Sequence, residues 1–333
     1  MLMNNSKLIL ILGELNDQGL TSSTAELLSV GRTLAVSTGK SLSVALLGSM
    51  AQDSAKQAIA YGADFVYVLP DPLLDSFQID LFLSALHQLS EKLDPDIILI
   101  AKTLGGRDLA PRLAARLDVG LIQDCVRIEF DTSTEMVIGH RPVFGGNVMA
   151  AVTSTKFPQI IALRPKSSSP LEPDGTRQGT IEEFRPSIDA SLIKTRIIES
   201  TKEENDEVSL EDAKVVVAGG RGLGSAASFK DIQLLAKLLG GAAGASRAAV
   251  DAGWVPHIWQ IGLTGKTISP DLYITVAISG ASQHMAGCYG AKVIVAINKD
   301  SNAPIFKDAQ FGVVGEWQDV LPAFIETIHK LTN

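Results

Sequence analysis

The chain has 333 residues, of which 46% are hydrophobic and 20% charged, with a formal net charge of −8 and a pI near 5.2. That length predicts two domains with sizeable cores, and the acidic balance argues against a non-specific nucleic-acid surface. Cys125 and Cys288 are its two cysteines; standing in no metal-ligand spacing, they predict free thiols in a reducing, cytoplasmic setting rather than a disulfide frame.

Residues 7–13, KLILILG, form the continuous apolar run that a parallel strand buried on both faces requires. The run is too short for a signal h-region, and no stretch approaches the ~18 apolar residues of a membrane span. Thr21-Ser22-Ser23 caps a predicted helix to about Val36, followed by a strand at Leu42–Leu47 and a helix at Ala51–Ala60. The strand Phe65–Leu69 stops at Pro70, a helix covers about Phe77–Leu93, and Ile97–Ile100 is the next strand. This alternation predicts an α/β fold with right-handed crossovers. Gly105-Gly106 reads as a strand-to-helix turn, with Pro111 near the first turn of the following helix, where its missing N–H costs little. Arg107, Arg112 and Arg116 recur at helical spacing, as on a solvated charged face, the favoured reading, or on a partner-facing surface.

From about Leu121 to Pro165 the pattern changes. Val126–Phe130, Met136–Arg141, Val148–Thr153 and Ile160–Arg164 are strand-like, with Gly145-Gly146-Asn147 as a turn or close backbone approach. Strands in succession without helices predict an antiparallel extension of the first sheet, and His140 inside one of them reads as structural. KSSSPLEPDGT (166–176) is a connector, and extended pieces follow near Arg177–Phe184 and Leu192–Glu199. Thr201–Glu207, TKEENDE, has no apolar residue and marks the domain boundary. The predicted organisation is an N-terminal α/β domain over 1–200, with a parallel sheet and antiparallel extension, an acidic linker over 201–210, and a C-terminal doubly wound parallel-sheet domain over 211–333. The linker is expected to let the second domain swing.

In that second domain the predicted strands are Lys214–Ala218, Gly241–Ala245, Ile258–Ile261, Leu272–Ile278, Val293–Ile297 and Phe311–Val314, with helices at Phe229–Leu239 and Trp317–Leu331. The turns after them are rich in glycine: GGRGLGS, GAAGASRAAVDAG, IGLTGKT, ISGASQHMAG, and then VIVAINKD. Five such edges within about eighty residues suggest one extended ligand across the carboxyl ends of a parallel sheet.

Two common readings of these turns fail. Gly222-Leu-Gly224-Ser-Ala-Ala227 matches a dinucleotide pattern, but Gly244-Ala245-Ser246-Arg247 stands where a ribose-binding acid belongs. Gly265-Lys266-Thr267 ends like a P-loop, yet Gln260 replaces the glycine five positions earlier. A dinucleotide held in another orientation remains. Arg221 and Ser246-Arg247 bring charge and hydroxyl groups to a pyrophosphate or an oxidised ring. Thr264 offers a hydroxyl and a backbone N–H to a ring edge, His284 an imidazole at a helix start, and Asn298 a partner for an adenosine or ribityl hydroxyl. There is no nucleophile–base pair and no metal-ligand spacing, so no catalytic and no metal residue is assigned.

The series GGRGL, GASRAAVDAG, LTGK, SGASQH and AINKD, followed by Ala303-Pro304-Ile305-Phe306, resembles the FAD domain of the electron transfer flavoprotein alpha subunit family. GRDLAPRLAARL (106–117) and RPVFGGN (141–147) are similar to the family's first domain, so the resemblance covers nearly the whole chain. By position it implies FAD contacts at Arg221, Ser246 and Arg247, the last near the isoalloxazine ring. Ile261, Gly262, Leu263 and Thr264 would line the flavin, with the Thr264 hydroxyl near N5. Ser279, Gly280, Ala281, Ser282, Gln283 and His284 would wrap the ring and phosphates, His284 at the N1/C2 edge. Asn298, Glu316 and Trp317 would lie near the adenosine. Two positions depart from the family's pattern: Leu263, where Gln is usual, and Glu316, where Asp is. The resemblance also implies a heterodimer with a beta subunit, packed on the first domain. Electrons would come from flavoprotein dehydrogenases such as acyl-CoA dehydrogenases, as in fatty acid beta-oxidation, and go to a downstream acceptor. A bifurcating form would need a second flavin carried mainly by the beta subunit. A nucleotide-binding structural or sensor protein without redox role is the alternative; a self-contained flavin enzyme is disfavoured because no general base accompanies the site.

Overall fold

The structure is a computed structural model and describes residues 8–144, 148–195, 209–211 and 213–332. The chain divides into two compact units, Met1–Val143 with Met149–Ser200, and Phe144–Val148 with Thr201–Asn333. Both are α/β. The expected Gly145–Asn147 turn and almost all of the acidic linker lie outside the described residues, as does the end of the extended piece expected at Leu192–Glu199.

The first unit is built on β1 (Leu8–Leu12), a small hairpin of β2 (Leu15–Asn16) and β3 (Gly19–Leu20), β4 (Ser41–Leu47), β5 (Phe65–Leu69) and β6 (Ile97–Ala101). Its later strands are β7 (Leu121–Cys125), β8 (Arg127–Asp131), β9 (Met136–Val143), β10 (Val148–Val152), β11 (Gln159–Leu163) and β12 (Thr180–Glu183). Helices α1 (Ser22–Thr38), α2 (Ala51–Ala60), α3 (Ile79–Leu93) and α4 (Leu104–Arg116) complete it. Seven strands pair in the order β12-β5-β4-β1-β6-β11-β7, every pairing parallel. Alternation along β1 explains the two layers. Ile9 and Ile11 join the core under α1 and α2, whereas Leu10 and Leu12 join the one under α3 and α4.

Two local expectations are corrected. The antiparallel piece, β8 against β9 with β10 beyond, is a sheet of its own, and β11 returns to the main sheet between β6 and β7. Pro111 sits well inside α4, because the helix starts earlier, capped by Thr103 through the Gly106 N–H at 3.0 Å. Gly106 belongs to the helix, and a Cβ there would stand 1.8 Å from the Ala101 carbonyl oxygen. Pro111 is tolerated because it lies on the exposed face, as does Arg107, whose carbonyl loses the Pro111 N–H but can bond to solvent.

The second unit contains β13 (Val215–Gly219), α5 (Phe229–Leu238), β14 (Ala242–Ser246), α6 (Arg247–Asp251), β15 (Gln260–Ile261) and β16 (Leu272–Val276). The one-turn α7 (Ser282–Met285), β17 (Val293–Asn298), β18 (Phe311–Val314) and α8 (Trp317–Thr332) follow. The sheet is parallel throughout, in the order β15-β14-β13-β16-β17-β18. The strand expected from Ile258 is only two residues long, since His257–Trp259 forms a 3₁₀ turn after Pro256. At the other edge all four residues of β18 are exposed, Phe311 by 64% and Val314 by 58%. Among the described residues no helix is long and apolar enough to cross a membrane, and no cluster of three metal-ligand side chains occurs.

Candidate functional site

In the second unit β13 lies between β14 and β16, and the chain winds outward from it in both directions. A crevice at the carboxyl ends of the strands therefore opens where the winding reverses. Glycine lets two strand ends approach closely there. A Cβ on Gly220 would stand 2.0 Å from the Ala277 carbonyl oxygen, and one on Gly222 would stand 2.9 Å from the Ala277 Cβ. Ala277, just past β16, has the left-handed φ of 56° that turns the backbone toward these glycines, and its N–H donates to Ile297 at 2.8 Å. Arg221 follows directly, exposed and paired with no carboxylate among the described residues.

On one side of the crevice the ends of β16, β17 and β18 bound a cleft lined by Gly222, Ala277, Ile297, Asn298, Lys299, Gly315, Glu316 and Trp317. The Trp317 indole nitrogen is buried and finds no acceptor among the described residues, the condition a ligand acceptor would relieve. Glu316 is exposed and faces Lys299 at 3.5 Å. Asn298 is largely committed within the chain. Its Nδ2 donates to the Ile278 carbonyl at 2.9 Å and its Oδ1 accepts from the Asp300 N–H at 3.0 Å, so it ties β17 to β16. One amide hydrogen and one lone pair remain for a ligand.

On the other side, Ser246 pairs with Ile261 across β14 and β15. Ser246 begins α6, and Arg247 reaches Asp251 at 3.3 Å while staying mostly exposed. Ile261 to Gly265 make a tight turn. Gly262 has φ 142° and no room for a Cβ, which would meet the Gln283 carbonyl oxygen at 2.9 Å. The Leu263 N–H donates to that carbonyl at 2.7 Å, leaving the Leu263 side chain half exposed. Thr264 is exposed, its hydroxyl accepting from Gln260 Nε2 at 2.9 Å. Ser279 and Gly280 lead into α7: the Ser279 carbonyl accepts from Ile305 at 3.0 Å, and Gly280, with φ 80°, packs on that same nitrogen. The Ala281 carbonyl starts the turn of Ser282, Gln283 and His284.

His284 departs from expectation. It is not an imidazole offered at the edge but a buried one, its Nδ1 3.1 Å from the Ile261 carbonyl and its Nε2 2.7 Å from the hydroxyl of fully buried Tyr273. The carbonyl can only accept, so Nδ1 carries the hydrogen and Nε2 accepts from Tyr273. Burial lowers the imidazole to about 4 and raises the tyrosine well above its ordinary value. His284 is therefore a neutral brace beneath the Ile261–Thr264 turn rather than a source of positive charge. Tyr273, Ala277 and Gln260 were missed as contributors. Each has a trace in the sequence, a polar or small residue interrupting an apolar strand or strand end, but its partner lies far along the chain.

Residues 9–189 match the electron transfer flavoprotein domain, and residues 209–289 match the electron transfer flavoprotein FAD-binding domain. A chain from Thermoanaerobacterium thermosaccharolyticum named electron transfer flavoprotein subunit alpha is 42% identical, over 99% of this chain and 100% of its own. One of the same name from Bacillus subtilis is 42% identical over 98% of each. The acryloyl-CoA reductase electron transfer subunit beta of Anaerotignum propionicum is 33% identical, over 99% of this chain and 98% of its own length.

Proposed function

The chain belongs to the electron transfer flavoprotein alpha subunit family, and on that premise we propose that it works as one half of a heterodimer with a beta subunit, shuttling electrons in the cytoplasm. Its donors are flavoprotein dehydrogenases, acyl-CoA dehydrogenases of fatty acid beta-oxidation among them, and it delivers to a downstream acceptor. Bifurcation would require a second flavin on the beta subunit.

The second unit is an FAD-binding domain. Its described residues suit the group: a cleft at the ends of β16, β17 and β18, and, among those residues, a cation without a carboxylate and an indole N–H without an acceptor. The Trp317 indole nitrogen without an acceptor, in the cleft beside Gly222 and Asn298, is the observation that carries the reading. FAD would supply the redox centre when bound. Arg221 and the N–H groups after β13 would hold the pyrophosphate, with Ser279, Gly280, Ala281, Ser282 and Gln283 closing over it. Asn298, Glu316 and Trp317 would take the adenosine end. Ser246, Arg247, Ile261, Gly262, Leu263 and Thr264 would face the ring system, where exposed Arg247 favours added negative charge and Leu263 excludes water. His284 supports the ring side through the Ile261 carbonyl.

The test is co-production with a beta subunit of the same family. A yellow heterodimer that releases FAD on heating, and that an acyl-CoA dehydrogenase with its substrate bleaches, is the expected outcome. A colourless chain holding only AMP would overturn it.

A further inference from the structure

Gln260 is a buried polar side chain, 2% exposed, between Trp259 and Ile261 in β15. The turn that follows closes around it. Its carbonyl accepts from the Lys266 N–H at 2.7 Å, and Gly265 lies so near that a Cβ would stand 2.3 Å from the same oxygen. Its side-chain nitrogen donates to the Thr264 hydroxyl oxygen at 2.9 Å. An amide nitrogen has hydrogens to give and no lone pair to accept with. The Thr264 oxygen is therefore the acceptor in this contact, and its own hydrogen must point elsewhere. Thr264 is exposed at the carboxyl end of β15, so that hydrogen is offered outward.

We infer that Gln260 is a positioning residue that fixes the Thr264 hydroxyl as a hydrogen-bond donor toward the flavin ring. The inference rests on the reading above in which the Ile261–Thr264 turn faces the ring at N5. An oxidised flavin presents a lone pair at N5, and a fully reduced one presents an N–H. A hydroxyl held as a donor suits the first and opposes the second, whereas one free to rotate serves both. Gln260 thus biases the bound cofactor toward its oxidised form, without touching it.

The experiment is a four-member cycle in the FAD-loaded heterodimer: wild type, Gln260→Met, Thr264→Val and the double variant. The readouts are the midpoint potential of the bound flavin and the FAD dissociation constant. Gln260→Met should favour the reduced form by about fivefold, the equivalent of one ordinary hydrogen bond, and should have no such effect in the Thr264→Val background. Thr264→Ser, which keeps the hydroxyl, should keep the Gln260 effect. An equal shift in both backgrounds overturns the inference, as does no shift from Gln260→Met where Thr264→Val does shift the potential. If Thr264→Val leaves both potential and affinity unchanged, the turn does not face the ring, and the underlying reading falls together with the inference. Should Gln260→Met fail to fold, Gln260→Leu completes the same cycle.

Discussion

The two units share a winding and differ at its edge. In each sheet the first strand lies between the second and a strand reached by crossing over, β1 between β4 and β6, β13 between β14 and β16. At the carboxyl ends in the first unit, side chains satisfy one another. Thr103 donates to the Glu14 carboxylate, while the Thr24 hydroxyl donates to the Glu14 carbonyl and accepts from the Glu14 N–H. Near the end of β7, Asp124 gathers both Lys102, just past β6, and Arg164, just past β11. Burial pushes Asp124 up, but Arg164 and Lys102 outweigh it and hold the carboxyl below its usual range. Among the described residues, the corresponding edge of the second unit has glycines, an arginine without a carboxylate and an indole without an acceptor. A doubly wound sheet thus supplies only the place for a ligand. Whether it is a site depends on which hydrogen-bonding capacity the edge residues leave unspent.

The largest test of this contrast swaps the same small change into both edges. Gly106→Ala and Gly220→Ala each force a Cβ to within about 2 Å of a carbonyl oxygen, at a cost on the order of 3 kcal/mol. FAD should be lost from Gly220→Ala while the first unit unfolds as before. Gly106→Ala should instead weaken the first unit and keep the flavin spectrum. Denaturant unfolding and flavin-to-protein ratios after gel filtration read both, and a Gly220→Ala protein with full FAD would break the comparison.

The buried imidazole gives an effect of similar size. His284 titrates near 4 in the folded chain against about 6.5 when unfolded. Below that unfolded value the unfolded chain binds a proton that the folded one refuses. Stability therefore falls as pH drops from about 6.5 to 4, by about 3 kcal/mol in all. His284→Gln should flatten that slope for the second unit, as followed by unfolding at a series of pH values. An unchanged slope would count against a neutral brace.

The smallest expected effect has the opposite sign and lies in the first unit. Burial raises the Glu14 carboxyl above its ordinary value, opposed only in part by the Thr103 hydroxyl. A raised acid keeps its proton in the folded chain after the unfolded chain has lost it. The resulting stability is present at acid pH and declines as pH rises from the ordinary glutamate range through the raised one. Glu14→Gln keeps an acceptor for Thr103 and should make the first unit more stable at neutral pH than wild type. Loss of stability there would show that the charge is wanted at that edge.

Much of the fold was legible because doubly wound strands are continuous apolar runs ended by glycine or proline, such as Phe65–Leu69 before Pro70. What a strand pairs with was less legible. Nothing local in Gln159–Leu163 tells that it enters between β6 and β7 rather than extending an antiparallel series. In the site, glycines that permit close packing could be read singly, because the need for close approach is a property of one residue. Polar pairs could not. His284 looks like an edge imidazole until Tyr273, inside the apolar run LYITV, is seen to hold it from below. Gln260 reads as a spoiled phosphate loop until its amide is found on Thr264.

One consequence belongs to the cell rather than to the site. The last strand, β18, ends the sheet with Phe311, Val313 and Val314 all open to water. An apolar strand at a sheet edge is a template on which another chain can add, and no lysine or proline within these four residues guards against it. Whatever fraction of this subunit is made in excess of what covers that edge is at risk of stacking into insoluble material. Gene dosage and the timing of synthesis, as much as sequence, then set how much of the protein stays dispersed.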